Sequence, residues 1–207
     1  MTPYVSPLRE AQAAQTRARI LDAASDMFGQ HGFTGTSLAK IAERAGVSVE
    51  TVKLAGSKGA LLLAAFDQAF AGKELPGTIH ESDIGDELRA LPPAQMLPQW
   101  VAFVADANAR VARLWPRVLD AAAGDADVAE RLRRLQDSRA KDMRAAIGFL
   151  RDVGRVESTL PDDELADSLS YVLAPEGYVR LVLECGWEME AYRAWVVRAV
   201  ERLILAA

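Results

Sequence analysis

Apolar residues recur at intervals of three and four along most of the chain, a spacing that places them on one face of an α-helix. The most informative stretch is residues 36–58, where two short helices are predicted. Gly46 follows the first helix, where glycine often ends a helix in the left-handed conformation, and Ser48 stands where the second helix requires an N-cap. This arrangement predicts a helix-turn-helix. The apolar stripe of its first helix consists of Leu38, Ile41, Ala42 and Ala45.

Flanking patterns divide the chain into two helical bodies. A long helix is predicted before the motif, over residues 13–31, and a further helix behind it. Residues 1–11 contain two prolines and little periodicity, so we expect a flexible arm there. Glycine and proline are frequent in residues 73–93, which indicates a linker. We therefore predict a helix-turn-helix domain over residues 1–72 and a second helical body over residues 94–207.

The second body completes an all-α fold class. Its segments show helical rather than alternating patterns, and the whole chain is expected to form about nine to ten helices. The last helix, residues 189–206, is so apolar and aromatic that it must be covered, either within the chain or by a second copy of it. The residues that a dimer interface would use are Tyr192, Trp195, Val196, Ala199 and Leu203.

Charge is unevenly distributed between the two bodies. The net charge is −5, but residues 1–60 carry +2 and the remaining residues carry −7. A basic helix-turn-helix attached to an acidic body would be oriented by the phosphates of DNA. Arg17 and Arg19 on the first helix either reach phosphates or are solvated on its surface.

Few residues offer the chemistry of an enzyme. His31 and His80 are the only histidines and Cys185 is the only cysteine, and no nucleophile triad or metal-binding motif contains them. Cys185 is expected to be a small buried hydrophobe. We expect no catalysis, metal or cofactor. A lone cysteine fits a reducing cytoplasm, and neither an apolar signal core nor a membrane span is recognisable.

The order and spacing of these residues resemble the TetR family of bacterial transcriptional regulators. The resemblance covers about the first 70 residues, and the C-terminal body is similar to the family in style, most of all in its ending from Ala174 to Leu205. The residues that carry it are Ile20, Leu21, Ala23, Ala24, Phe28, Gly32, Phe33, Thr36, Ile41, Ala42, Ala45, Gly46, Val47, Ser48, Thr51, Lys58, Ala60 and Leu61.

The resemblance implies an N-terminal three-helix helix-turn-helix domain and a C-terminal helical bundle that dimerises and binds a ligand. It implies a homodimer on a palindromic double-stranded DNA operator, a repressor role, and release by a small, largely apolar effector. Thr36 and Ser37 would meet phosphates, residues 48–53 would face bases and nearby backbone, and Lys58 would hold a phosphate. The DNA-facing side chains of the second short helix and its cap would be Ser48, Val49, Glu50, Thr51 and Lys53.

Aromatic and large apolar residues of the second body are the candidates to line the effector pocket. Each of them is equally well explained as an ordinary core residue, because any helical bundle packs aromatic rings between its helices. The candidates are Trp100, Phe103, Trp115, Met143, Ile147, Tyr171 and Tyr178.

The segment from Lys53 to Lys58 departs from the family pattern. It is one residue shorter than usual and lacks the tyrosine and the second aromatic residue that the family places there. We expect Leu54 to pack the turn and Lys53 to contact phosphate instead. Glu50 either accepts from a cytosine amino group or stabilises the helix start. The alternative function is a helical dimeric interaction module whose degenerate helix-turn-helix no longer reads DNA.

Overall fold

The computed structural model describes residues 7–72, 79 and 81–205. All regular structure in these residues is helical, which confirms the predicted all-α fold. The first four helices are α1 Pro7–Gly35, α2 Leu38–Ala45, α3 Val49–Ala55 and α4 Lys58–Ala71. They are followed by α5 Asp83–Arg89, α6 Pro93–Val111, α7 Trp115–Gly124, α8 Ala126–Asp152, α9 Asp162–Val172, α10 Pro175–Tyr178 and α11 Met189–Val200. Short π-helical segments continue α10 over Val179–Glu184 and α11 over Glu201–Leu205.

Contacts divide the chain into two compact units. The described part of the first unit contains α1 to α4, α7 and the start of α8 as far as Leu132. The second contains α5, α6, the rest of α8 from Arg133, and everything that follows. Residues 113–132, which the sequence pattern places in the second body, therefore pack with the helix-turn-helix. Periodicity shows which face of a helix is buried, but it does not show which partner covers that face.

Helix α1 supplies much of the core of the first unit. Its predicted stripe of Leu21, Ala24 and Phe28 is fully buried, and α1 packs against α2, α4 and α7. The backbone leaves helical geometry at Gly32, where φ is 68°, next to the predicted end of the helix. Residues 7–11 are helical rather than part of a flexible arm, and residues 1–6 of that arm lie outside the described part of the chain.

The core of the second unit lies between α6, α9 and α11. These helices contribute fully buried aliphatic side chains, and the end of the last π-helical segment closes the same core through Ile204. Pro98 lies inside α6, which continues through it. As the sixth residue of the helix, it lacks the amide proton that this position would otherwise donate to the Ala94 carbonyl. Other members of this core are Val101, Leu165, Leu169 and Val200.

The predicted linker is only partly described, because residues 73–78 and His80 lie outside the described residues. Its remainder holds α5, which is longer than the single turn expected there. The Ile79 amide donates to the Asp142 carboxylate over 3.1 Å, so this segment is attached to α8 within the second unit.

No helix in the described ranges combines the length and apolar character needed to cross a membrane. Over the same ranges, no group of three or more His, Cys, Asp or Glu side chains could hold a metal ion. Cys185 is exposed, so the expectation that it is a buried hydrophobe is wrong. It directly follows a π-helical segment and precedes Gly186, which has a positive φ.

Candidate nucleic-acid interface

The turn between α2 and α3 is closed by backbone hydrogen bonds around a glycine. Gly46 has φ 65° and ψ 40°, a left-handed conformation that strains residues with a Cβ. The Val47 amide donates to the Ala42 carbonyl over 3.1 Å, as in a Schellman motif. The direction in which α3 leaves this turn is therefore set by backbone geometry, as the position of Gly46 predicts.

Helix α3 begins at the predicted cap. The Ser48 hydroxyl accepts from the Thr51 amide over 3.1 Å and lies 2.9 Å from the Thr51 hydroxyl. Val52 is fully buried and anchors the helix in the first unit. Ser48, Glu50 and Lys53 are exposed, and Val49 and Thr51 are half-buried. The side chains predicted to face DNA are therefore accessible on α3 and its cap, and their contacts with DNA stay a prediction.

A side chain from α1 holds the end of α3. Arg17 donates from Nη1 to the Ala55 carbonyl oxygen over 2.8 Å. The last carbonyls of a helix carry partial negative charge, so a guanidinium group is favourable at this position. Gly56 follows with φ 152° and the chain enters α4 at Ser57. Arg17 thus positions the end of α3, a role that neither alternative from the sequence included.

Lys58 begins α4 directly after its N-cap, Ser57, whose hydroxyl accepts from the Ala60 amide over 3.2 Å. The Lys58 ammonium nitrogen lies 4.2 Å from the centroid of the Phe33 ring. The negative face of the ring attracts the cation, so Phe33 holds the ammonium group near the helix start. Free backbone amides there also favour an anion. The arrangement suits a phosphate, as predicted, although that contact stays a prediction.

Ser37, not Thr36, caps α2. The Ser37 hydroxyl is exposed and accepts from the Lys40 amide over 3.3 Å. The Thr36 side chain is 2% exposed, and its hydroxyl lies 3.0 Å from the Met27 carbonyl oxygen and 2.8 Å from that of Gly32. The prediction that Thr36 contacts a phosphate is wrong, because its hydroxyl is buried and bonded to the end of α1.

Thr36→Val is expected to lower the free energy of unfolding by about 1 kcal/mol, the net value of one hydrogen bond. Chemical denaturation measures this loss. DNA affinity at a fixed salt concentration should not change, because no phosphate contact is removed. Thr34→Val, the same substitution at an exposed position two residues earlier, is the matched control. A loss of DNA affinity in Thr36→Val but not in Thr34→Val would contradict the structural role assigned to Thr36.

Leu54 does not pack the turn. Its side chain is 89% exposed, so the prediction of a packing role is wrong. The reason is the angular position of Leu54 on α3: it follows the buried Val52 by two residues, which places it about 200° further around the helix. The turn is held instead by the Arg17 bond and by the fully buried Leu61 of α4.

The family profile described as bacterial regulatory proteins, tetR family, matches residues 20–65. That range covers most of α1, all of α2 and α3, and the first half of α4. It includes Ser37, Gly46, Ser48 and Lys58, whose geometry defines the turn and the helix starts. Residues 20–65 of the chain thus match the TetR family, whose members are DNA-binding transcriptional regulators with a helix-turn-helix.

Solved structures share the fold over nearly the whole length of this chain. A protein described as a TetR-family regulator from Rhodococcus sp. is 20% identical, with a TM-score of 0.69 and coverage of 92% of this chain and 98% of that one. A transcriptional regulator from Saccharomonospora viridis in complex with choline has the same identity and coverage and a TM-score of 0.68. NalD of Pseudomonas aeruginosa, the secondary repressor of a multidrug efflux pump, is 16% identical, with a TM-score of 0.65 and coverage of 92% and 97%. No curated protein matches the chain.

The dimer residues predicted from the sequence divide into two groups. Tyr192 and Val196 are 1% and 2% exposed, so they belong to the core of the protomer and the prediction that they form a dimer surface is wrong. They lie four residues apart on the inner face of α11. Leu203 is 56% exposed, and Trp195 and Ala199 are half-buried. For these three residues a dimer interface stays a prediction.

Two of the predicted effector residues lie in the wrong place for a pocket of the C-terminal body. Tyr171 is 84% exposed, too open to line an enclosed site. Trp115 packs in the first unit against Phe66, with ring centroids 5.4 Å apart. Ile147 is fully buried and Tyr178 is 8% exposed. The same core is flanked by three partly buried residues, Trp100, Phe103 and Met143. For these three, contact with an effector stays a prediction.

A buried polar group that the sequence did not predict lies in the second unit. Asn108 is fully buried and donates from Nδ2 to the Leu173 carbonyl over 3.2 Å and to the Tyr192 hydroxyl over 3.4 Å, while its Oδ1 has no partner among the residues that the structure describes. The Tyr178 ring meets Tyr192 edge-on, with centroids 5.6 Å apart. The sequence feature that could have revealed this buried group is a polar residue at a position of the apolar stripe of α6.

Arg139 on α8 is partly buried. It donates from Nη2 to the Ser170 carbonyl over 2.8 Å. Burial lowers the pKa of its guanidinium below the ordinary value, and the Glu176 and Tyr192 side chains oppose that shift. Polar side chains at the edge of this apolar core are thus bonded to carbonyl and hydroxyl groups of other elements.

An open groove of about 440 Å³ runs along α6 and α11 in the second unit. None of the predicted effector residues lines it. A guanidinium–carboxylate contact between Arg193 and Asp106 also joins α6 and α11. The groove is lined by Pro98, Val101, Ala102, Glu190, Arg193, Ala194, Val197 and Arg198.

Tyr192→Phe is expected to make the fold less sensitive to alkaline pH. Burial raises the pKa of Tyr192 above its ordinary value of 10.0, and the Asn108 hydrogen bond only partly opposes this. The stabilising effect of the neutral phenol is therefore present below the pKa of the unfolded chain and is lost as the pH rises through the folded pKa. The free energy of unfolding, measured across this range, should fall less steeply in Tyr192→Phe. Tyr171→Phe at an exposed position is the control, and equal slopes in both variants would contradict the prediction.

Proposed function

We propose that this regulator is a repressor that binds a palindromic operator as a homodimer and is released by a small, largely apolar effector. The observation that carries the proposal is the recognition helix α3. It is anchored by Val52, capped by Ser48 and held at its end by Arg17, with its outer face exposed. A short exposed helix behind a fixed turn is the element that such proteins place in the major groove.

The charge distribution supports DNA as the partner. The basic residues of the first 60 positions include Lys53 and Lys58, at the end of α3 and the start of α4, while the rest of the chain is acidic. Affinity would come mainly from phosphate contacts and would fall as the salt concentration rises, because the release of counterions from DNA then contributes less. In a two-fold dimer the recognition helices must lie about 34–36 Å apart to meet successive major grooves.

The direct test is a footprint of the purified protein on the DNA flanking its own gene, at two salt concentrations. We expect a protected palindrome and a strong loss of affinity at the higher salt concentration. If no duplex is protected at either concentration while the protein remains dimeric, the chain is instead a helical interaction module. The shortened segment from Lys53 to Lys58 is the sequence feature that suggests this alternative. Sedimentation of the same sample measures the dimer.

Lys58→Ala is expected to weaken binding to all duplexes by a similar factor. The slope of log affinity against log salt should also become shallower by about one, because one fewer phosphate is neutralised. Lys141→Ala, which removes the same charge from α8 in the second unit, is the matched control. A change of sequence preference in Lys58→Ala, or an equal effect of both variants, would contradict a phosphate contact by Lys58.

The effector would bind in the second unit. Trp100, Phe103 and Met143 offer half-buried apolar surface, and Asn108 with Tyr192 offers a polar end. One structure with this fold binds choline, so a small molecule with both apolar and polar parts is a reasonable first class to screen. Such a ligand acts only if it binds the conformation that is incompetent for DNA more tightly.

A compound that qualifies as effector should raise the melting temperature and release the protein from its operator at the same concentrations. Phe103→Ala should weaken both effects together. A compound that raises the melting temperature without changing DNA affinity would be a bound ligand but not an effector.

A further inference from the structure

Leu54 is the most exposed of the large hydrophobic side chains in the described part of the chain, at 89%. It lies on α3, one helical turn after Glu50 and beside Lys53 on the exposed face. The buried face of the same helix is formed by Val52. An apolar side chain therefore projects from the surface that, under the proposed function, enters the major groove.

Two of the neighbouring polar side chains, at the start of α3, already bond to each other. The Thr51 hydroxyl lies 2.9 Å from the Ser48 hydroxyl, and the Ser48 oxygen also accepts the Thr51 amide. The two hydroxyls therefore satisfy each other at the helix start. Lys53 carries a charge suited to phosphate and not to an apolar edge. Leu54 is the side chain of α3 that is both almost fully exposed to solvent and unable to form a hydrogen bond.

The major groove contains one apolar base substituent, the C5-methyl group of thymine. Contact with that methyl group would remove apolar surface of both partners from water, which is favourable. Every other major-groove edge presents a donor or an acceptor, which Leu54 would desolvate without replacing the bond. The side chain thus favours thymine at one position and disfavours the other three bases there.

We propose that Leu54 reads the C5-methyl group of a thymine in each half-site and is the apolar specificity determinant of the recognition helix. This inference rests on the proposed function, because it requires α3 to enter the major groove. It replaces the packing role predicted for Leu54 from sequence with a role in recognition.

The test uses the full chain and the duplex that it enriches most from a library of random duplexes. Each thymine of that duplex is replaced in turn by deoxyuridine, which removes the methyl group and leaves every hydrogen-bonding group in place. For wild type, we expect one thymine position in each half-site to respond. Its replacement by deoxyuridine should weaken binding by about fourfold, the effect of one buried methyl group. For Leu54→Ala, the same replacement should have no effect. Leu119→Ala, at a half-exposed leucine of α7 in the same unit, should behave as wild type.

The outcomes separate this inference from the function on which it rests. If wild type enriches no duplex, the DNA-binding function fails and the role of Leu54 fails with it. If wild type binds but Leu54→Ala keeps the same response to every deoxyuridine, the function stands and the role of Leu54 is overturned. Circular dichroism of the variants shows that a lost response does not arise from unfolding, which is not expected at a side chain this exposed.

Discussion

Gly59→Ala is expected to lower the free energy of unfolding by about 1–3 kcal/mol, as over-packing of a core does. A Cβ on Gly59 would lie 2.6 Å from Cγ2 of Val128, far closer than the separation at which two carbon atoms attract. Val128 is fully buried, so it cannot rotate into solvent to make room. Chemical denaturation of the full chain measures the loss. The sign is informative, because alanine usually favours a helix over glycine.

A second substitution tests whether the cause is this one contact. Val128→Ala removes both Cγ atoms, so Gly59→Ala should cost much less in that background, and a double-mutant cycle gives the coupling. Gly148→Ala is the matched control, because no atom lies within 4 Å of its Cβ position on α8, and it should stabilise by about 0.5–1 kcal/mol. If Gly59→Ala lowers the free energy of unfolding by the same amount in the wild-type and Val128→Ala backgrounds, the close approach to α8 is not the cause.

The helix-turn-helix could be predicted in detail because its signals are local. Gly46 ends α2, Ser48 caps α3 and Ser57 caps α4, and each feature depends on residues within three or four positions in the chain. Backbone conformation and capping are decided at this range. The all-α class followed from the same short-range patterns, and the structure confirms it.

The errors concern partners that lie far apart in sequence. Trp115 packs on Phe66 within the first unit and not in a pocket of the second. An apolar stripe predicts burial, but several helices present similar stripes, and their pairing depends on the whole packing arrangement. Tyr192 shows the same limit, because it fills the protomer core where a dimer surface is expected from sequence.

Buried polar groups escape prediction for a related reason. The sequence pattern gives no role to Asn108 or Arg139, yet each forms a hydrogen bond to a backbone carbonyl in the second unit. Buried polar side chains need partners, and those partners are usually backbone groups of another element. Since every residue has a carbonyl group, the sequence does not reveal which one a buried side chain will use.

Arg17→Met is expected to lower DNA affinity by about tenfold or more. The loss should be larger than that caused by Arg19→Met, a second arginine substitution on α1. The Arg17 guanidinium donates to the Ala55 carbonyl at the end of α3, and hydrogen bonds from charged groups contribute about 1.5–3 kcal/mol. Without it, the last turn of a seven-residue helix is free to fray, because a helix this short is not stable alone. The outer face of α3, including Lys53, would then lose its fixed position.

Arg19→Met removes the same charge from another position of α1 and is the matched control. The difference in DNA affinity between the two variants therefore measures the positioning of α3 rather than the loss of a charge. Arg17→Lys should recover only part of the affinity, because an ammonium group cannot reproduce the planar geometry of the guanidinium. Hydrogen exchange at the amides of α3 provides a second measurement, and exchange should accelerate in Arg17→Met but not in Arg19→Met. Equal affinities of the two variants, with unchanged exchange in α3, would mean that the bond to Ala55 does not hold the recognition helix.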